Sequence, residues 1–289
     1  MAQRTHVVLL FGGRSAEHDV SLISARSIYN NLDRKKYDVS CIYINKGGAW
    51  RVVASPELPP SARTSGPFHS FLPWKASPQP VSLDADIYFP VLHGPYGEDG
   101  TIQGLLEMAD VPYVGAAVLA SALGMDKAMA KILFVQKGLP VVAHLVVHES
   151  AWKKSPEDIK ARIEERLSYP VFVKPTNLGS SVGITKVKDG SGIEHALTEA
   201  FRYDEKALIE EAITGREIEC SVLGHSEPRA SLPGEIIPYR EFYDYRDKYI
   251  EGKTSFRIPA ELPEETVREV QRIALEAFRV IGCSGMARV

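Results

Sequence analysis

Runs of branched and aromatic residues stopped by glycine set the rhythm of the first hundred positions. Residues 7–11 read VVLLF and meet Gly12-Gly13. An unbroken apolar run of that length reads as a strand buried on both faces. A helix is expected from about Asp19, with Val20, Ile23, Ile28 and Leu32 on one face. Further strands are expected at 39–44 and 87–92, and a short helix at 101–108. This alternation predicts a parallel sheet covered by helices. Residues 54–80 break it: seven prolines fall there among Ser and Gly, the mark of an irregular surface insertion.

The pattern changes after Gly115. Residues 116–138 read as helical with a break near Gly124, and Ser155-Pro156-Glu157-Asp158 reads as a helix start that puts Ile159, Ile163 and Leu167 on one face. Strands are expected at 171–174, 183–187 and 208–210, with a helix at 192–201. Then come strands at 217–223 and 234–239, and a stretch at 241–256 without either period, which reads as a mobile loop. From Pro263 a helix follows with Val267, Val270, Ala274, Ala277 and Ile281 on one face. Residues 285–289 read as a strand just beginning, so the natural polypeptide is expected to continue. The expected organisation is an α/β segment at 1–120, a mixed segment at 121–213 and a third at 214–289.

Composition removes several classes. With 44% hydrophobic and 25% charged residues the chain is of ordinary globular composition, and 289 residues suit two or three domains. A net charge of −3 does not suggest a nucleic-acid surface. Cys41, Cys220 and Cys283 lie far apart without CxxC spacing, which argues against a disulfide framework or zinc site. The apolar run 7–11 is too short for a signal peptide, and no stretch approaches the roughly 20 apolar residues of a membrane helix. The expected location is the cytoplasm, with no membrane partner.

Three loops invite chemistry. Gly179-Ser180-Ser181-Val182-Gly183 follows a strand that ends at Lys174. Its amides and hydroxyls suit an anion such as a triphosphate; a plain hairpin turn is the alternative. His93–Gly100 lies at the carboxyl end of an expected parallel strand, where open α/β sheets bind ligands. His93 there orients a carboxylate or is a satisfied packing residue. Gly12–Glu17 lacks GxGxxG spacing, and Glu17 either favours the helix dipole or takes an ammonium group.

Six segments in order, from Phe11–Ser21 through His93–Gly104, Ala122–Lys127, Val173–Gly183, Ile209–Glu217 and Phe242–Tyr249, resemble the D-alanine–D-alanine ligase family of the ATP-grasp superfamily. The resemblance runs from Val7 to Arg288 outside the proline-rich insertion. It implies an N-terminal α/β domain followed by a two-lobed ATP-grasp fold whose C-terminal part is incomplete here. It implies ATP-dependent joining of two D-alanines for peptidoglycan through D-alanyl phosphate, with Mg²⁺ or Mn²⁺, two ions, whose ligands are expected beyond Val289. By resemblance, Lys127 and Lys174 hold phosphates, Ser180 and Ser181 close over them, Glu210 reads the adenine amino group, Glu211, Ala212 and Ile213 line the adenine, and Glu217 binds ribose. Lys248 and Tyr249 come from a flexible loop. Glu17 receives the first substrate's ammonium, His93 lies near its carboxylate, Ser180, Tyr249 and Glu17 form a locking triad, and Arg288 steadies the acyl phosphate and oxyanion. A homodimer through the N-terminal domain is implied. Against a D-alanine–D-lactate ligase stands Tyr249. Against another ATP-grasp amino-acid ligase stands the set Glu17, His93 and Tyr249. Against a non-enzymatic nucleotide binder stand the lysines and Arg288.

Overall fold

Alternate side chains of the first strand point to opposite sides of a sheet, and both sides are covered. In the computed structural model, which describes residues 4–57, 85–179, 181–238 and 254–289, β1 (Thr5–Gly12) sends Val7, Leu9 and Phe11 into one cluster and Val8 and Leu10 into another. The first cluster packs beneath α1 (His18–Asn31) with Leu22, Ala25, Cys41 and Tyr43. The second packs beneath α2 (Thr101–Met108) with Ile42, Tyr88, Ile102 and Leu106. That double burial is why the run carries no polar residue.

β2 (Tyr37–Ile44) and β4 (Ile87–Val91) flank β1 in parallel, and β3 (Trp50–Val53) adds an antiparallel edge, giving the order β3-β2-β1-β4. The sheet was expected to be purely parallel; β3 was missed because its four residues are too few to show a period. The α1 face also differs from expectation. His18, Ser21, Leu22 and Ala25 are buried, whereas Ile23 is 61% exposed. Ile28 and Leu32 do pack against the first cluster as expected, and Ser21 takes an inward position that the pattern did not assign. Its Oγ accepts the Gly12 amide at 2.8 Å and donates to the Val91 carbonyl, joining the ends of β1 and β4. Gly12 turns there with φ +93°, and a Cβ would strike the Ile44 carbonyl oxygen.

The chain divides into two compact units, Met1–Val118 and Leu119–Val289. The second opens with α3 (Val118–Met125) and α4 (Lys127–Gln136). Gly124 lies inside α3; the break falls at Asp126, whose carboxylate accepts the amides of Ala128 and Met129 at 3.1 and 3.2 Å and caps α4. β5 (His144–His148) and α5 (Glu149–Lys154), both absent from the sequence reading, precede α6 (Pro156–Arg166). Proline opens α6 as expected, but Ser155 makes no side-chain cap. β6 (Val171–Pro175), β7 (Thr185–Val187), α7 (Ile193–Ala200) and β8 (Lys206–Glu211) complete an antiparallel sheet of order β5-β8-β6-β7.

The expected strand over 217–223 is two strands. β9 (Glu217–Glu219) and β10 (Ser221–Gly224) part at Cys220 and join different sheets. One has the order β11-β10-β14, with β11 (Arg229–Ala230); the other is β13-β12-β9, with β12 (Gly234–Ile237) and β13 (Ser255–Arg257). β13 occupies the end of the stretch read as a mobile loop; 241–253 lie outside the described residues, as do 58–80 of the insertion. α8 (Glu264–Val280) buries Ala274, Ala277 and Phe278, and β14 (Gly285–Arg288) pairs with β10 along its length. All three cysteines are buried and free.

Ser21→Ala leaves a buried amide and a buried carbonyl unsatisfied where two strand ends meet. We expect a loss of about 1–3 kcal/mol in urea unfolding; a loss below about 0.5 kcal/mol would remove Ser21 from this role.

Candidate active site

In the first unit the strand order reverses between β1 and β4. The connection leaving β1 runs to β2 on one side, while β4 lies on the other. Loops at such a switch point splay apart and leave a crevice at the carboxyl ends of the strands. Here the two loops are tied across it. Ser15 Oγ donates to the His93 carbonyl at 2.6 Å, and the Arg14 guanidinium lies 4.8 Å from the centre of the Tyr96 ring. Glu17 stands at the N-terminus of α1, 5% exposed, with its amide donating to Ser15 Oγ at 3.1 Å. Its carboxylate packs against Gly94, where a Cβ would collide with it. His93 Nε2 is hydrogen-bonded to Ser24 Oγ at 2.9 Å. Glu17 and His93, far apart in sequence, thus meet at one crevice, and His93 is both a satisfied group and a member of it.

The second unit uses strand alternation differently. One face of the four-stranded sheet sends Leu145, Val147, Val171, Val173, Ala207 and Ile209 into a core beneath α6 and α7. The other face carries His144, Phe172, Lys174, Lys186, Leu208 and Glu210. Phe172 lies directly across from Glu210, so Lys174, two residues on, reaches Glu210 diagonally. Glu210 Oε1 accepts the Lys174 ammonium, and Lys131 Nζ from α4 lies 3.1 Å from Oε2. The Oε2 atom is out of reach of water, and Lys131 meets it as an ion pair outside good hydrogen-bond geometry. Burial alone would raise the Glu210 carboxyl above the usual range; Lys174 and Lys131 outweigh that and hold it below.

Lys127 lies one helical turn before Lys131. Its Nζ donates to the carbonyls of Leu178 and Thr176 at 2.6 and 3.2 Å. Burial, then the nearness of Lys174, pushes its ammonium down to about 8. The loop after β6 is pinned in turn: Asp204 Oδ2 accepts Thr176 Oγ1 at 2.6 Å and the Asn177 amide at 2.8 Å. Asp126, the cap of α4, also takes the Lys206 ammonium. The segment between β6 and β7, from which Ser180 lies outside the described residues, joins two antiparallel strands.

The remaining expected residues are more scattered. Glu217 lies on β9 and is exposed; Arg288 on β14 is 70% exposed and pairs with Glu219 at 3.2 Å. Glu211 gives its carboxylate to the Ser168 amide at 2.6 Å, Ala212 donates its amide to Pro170 at 2.9 Å, and Ile213 is 70% exposed. Ser181 is described, with φ +59°; Ser180, Lys248 and Tyr249 lie outside the described residues. The sequence reading missed Lys131. Its signal was the four-residue spacing from Lys127 on one helix face.

A family model described as D-ala D-ala ligase N-terminus matches residues 6–116, and one described as D-ala D-ala ligase C-terminus matches residues 133–289. The chain belongs to the D-alanine–D-alanine ligase family. It is a ligase, with the ATP-grasp fold behind a parallel-sheet unit. A D-alanine–D-alanine ligase of Acetivibrio thermocellus is 47% identical to it over 313 residues, covering 100% of this chain and 83% of the relative. The solved D-alanine–D-alanine ligase of Coxiella burnetii is 36% identical with a TM-score of 0.82, over 100% of this chain and 80% of that one. A D-Ala:D-Ser ligase of Enterococcus faecalis is 33% identical with a TM-score of 0.82, over 99% of this chain and 85% of that one.

The lowered Lys127 of this ligase makes its stability depend on pH. An unfolded lysine binds its proton up to about 10.5 and the folded one only to about 8, so the unfolded chain binds more protons between these values and stability rises with pH across that window. Below about 8 the charged Lys127 costs the fold up to about 3 kcal/mol. The unfolding free energy of the native chain should therefore climb relative to Lys127→Met from pH 8 to 10.5. A difference that stays flat would contradict it.

Proposed function

We propose that this ligase activates one D-alanine with ATP and joins it to a second, in the cytoplasm, making D-alanyl-D-alanine for peptidoglycan and working as a homodimer through its N-terminal unit. The observation that carries the reading is the cationic face of the four-stranded sheet. Burial and the nearness of Lys174 depress Lys127 even with the carboxylates of Glu210, Asp204 and Asp126 close by. Like charges gathered away from water are costly unless a polyanion joins them. A triphosphate is such a polyanion.

In this reading Lys127 and Lys174 take phosphate oxygens, Glu210 the adenine amino group, Glu211, Ala212 and Ile213 the adenine's surroundings, and Glu217 the ribose. Glu17 takes the ammonium of the first D-alanine, and His93 lies beside its carboxylate. One carboxylate oxygen attacks the γ-phosphorus, an O–P bond forms, and ADP leaves. The cations neutralise the approach of two anions and the charge on the leaving group. The amine of the second D-alanine then attacks the acyl carbon. The C–N bond forms, the oxyanion collapses, phosphate departs and the amine proton is lost. Arg288 is the group assigned to that oxyanion, released from Glu219 to meet it. Ser180, Ser181, Lys248 and Tyr249 complete the closed site by resemblance. Mg²⁺ or Mn²⁺ belongs to this chemistry as a source of positive charge on the phosphates. Among the described residues no group of three His, Cys, Asp or Glu side chains could hold a metal ion.

D-Alanine alone should serve as both substrates in a phosphate-release assay coupled to dipeptide detection; a preference for D-lactate or D-serine in second place would overturn the substrate assignment. Lys174→Ala should raise the KM for ATP and lower kcat, with kcat/KM down roughly 100-fold, since it removes a phosphate partner and strands Glu210. Unchanged ATP kinetics would remove Lys174 from the site.

A further inference from the structure

Glu210 is held by two ammonium groups from two different elements, and only one of them is needed for phosphate. Lys174 comes from the neighbouring strand β6 and sits on Oε1; Lys131 comes from α4 and sits 3.1 Å from Oε2. The three side chains are 18%, 17% and 13% exposed for Lys174, Lys131 and Glu210. The helix that carries Lys131 is fixed where it begins. Asp126 caps it and takes Lys206 of β8, and the Lys127 amide donates to the Thr176 carbonyl at 3.1 Å. Lys131 therefore keeps its place beside β8 whatever Lys174 does.

We infer that Lys131 determines nucleotide specificity: it keeps Glu210 ionised and oriented through Oε2, so that when Lys174 turns to the phosphates Oε1 accepts the 6-amino group of adenine and repels a 6-oxo purine. This rests on the reading that Glu210 meets the base and Lys174 the triphosphate. The physical argument is a handover. A carboxylate this far from water does not stay charged without a cation beside it. If Lys174 were the sole partner, its departure to phosphate would leave Glu210 to take up a proton. A protonated carboxyl donates a hydrogen bond, and a 6-oxo group accepts one, so the base selection would be lost at the moment of nucleotide binding. Lys131, on a separate and anchored element, removes that conflict. The other groups around Glu210 are engaged elsewhere: Phe172 is apolar with Lys186 over its ring at 5.8 Å, His144, directly opposite on β5, has its Nδ1 hydrogen-bonded to the Val142 carbonyl at 2.9 Å, and Lys127, which also feels Glu210, donates to the Leu178 and Thr176 carbonyls.

The plainer role for Lys131 would be to pin α4 to β8, and the test separates the two. The full chain is titrated with ATP and with inosine triphosphate by calorimetry, and kcat/KM is measured for both. The native chain should prefer ATP. Lys131→Met and the smaller Lys131→Gln should each cut the ATP-to-inosine-triphosphate ratio at least about tenfold, with Lys131→Arg restoring it, while thermal unfolding shows whether each variant is folded. Glu210→Gln is the control on the underlying reading, because its amide donates to a 6-oxo group. A native ratio in Glu210→Gln would sink the assignment of Glu210 to the base and this inference with it. A collapsed ratio in Glu210→Gln beside a native ratio in folded Lys131→Met or Lys131→Gln would overturn the role of Lys131 alone, leaving it a structural pin.

Discussion

The Glu210 carboxylate, buried between two lysines from different elements, is the interaction on which the charged face of the second unit depends. Lys174 and Lys131 both meet it, and Lys127 lies within the same electrostatic neighbourhood. Positive charges gathered away from water repel one another and lose hydration, which is why Lys127 is driven down to about 8. Glu210 offsets part of that repulsion, as do Asp204 and Asp126. Three local features arrange the three lysines and Glu210. Asp126 starts α4 at Lys127, Asp204 holds the loop after β6, and the antiparallel register of β6 on β8 sets Lys174 diagonal to Glu210.

Alternation along strands does this work in two ways. In the first unit both faces of β1 are buried over Val7–Phe11, so that stretch is apolar throughout and polar groups gather in the loops at its carboxyl end, 13–17 and 92–100. In the four-stranded sheet only one face is core. The other carries His144, Lys174, Lys186 and Glu210 beside the apolar Phe172 and Leu208. The same period-two geometry gives an apolar scaffold in one unit and a charged face in the other. The ligase family supplies the chemistry that such a surface serves.

Much of the α/β order was legible because it rests on local signals. Val7–Phe11 is long, branched and bounded by glycine; Pro156 opens α6 where proline is tolerated; Thr101–Met108 matches its helix to the residue. Failures fell where local pattern loses to tertiary demand. Ile23 looks like a core residue but faces outward, and Ser21 takes the inward place between two strand ends. Glu217–Leu223 looks like one strand but serves two sheets, a division that depends on partners rather than on the segment. β3, β11 and β13 are too short for any period to appear.

By itself the sequence determined the class of elements and much of their order, and its resemblance to the ligase family put forward Glu17, His93, Lys127, Lys174 and Glu210 as site residues, because such motifs encode backbone turns and charge types that survive in one dimension. Tertiary structure alone decided who meets whom. That Lys174 and Lys131 share Glu210, that Ser15 reaches His93, and that Asp126 both caps a helix and holds Lys206 follow from strand register and helix rotation. These are set by which faces must leave water together, and no local segment of the chain contains that information.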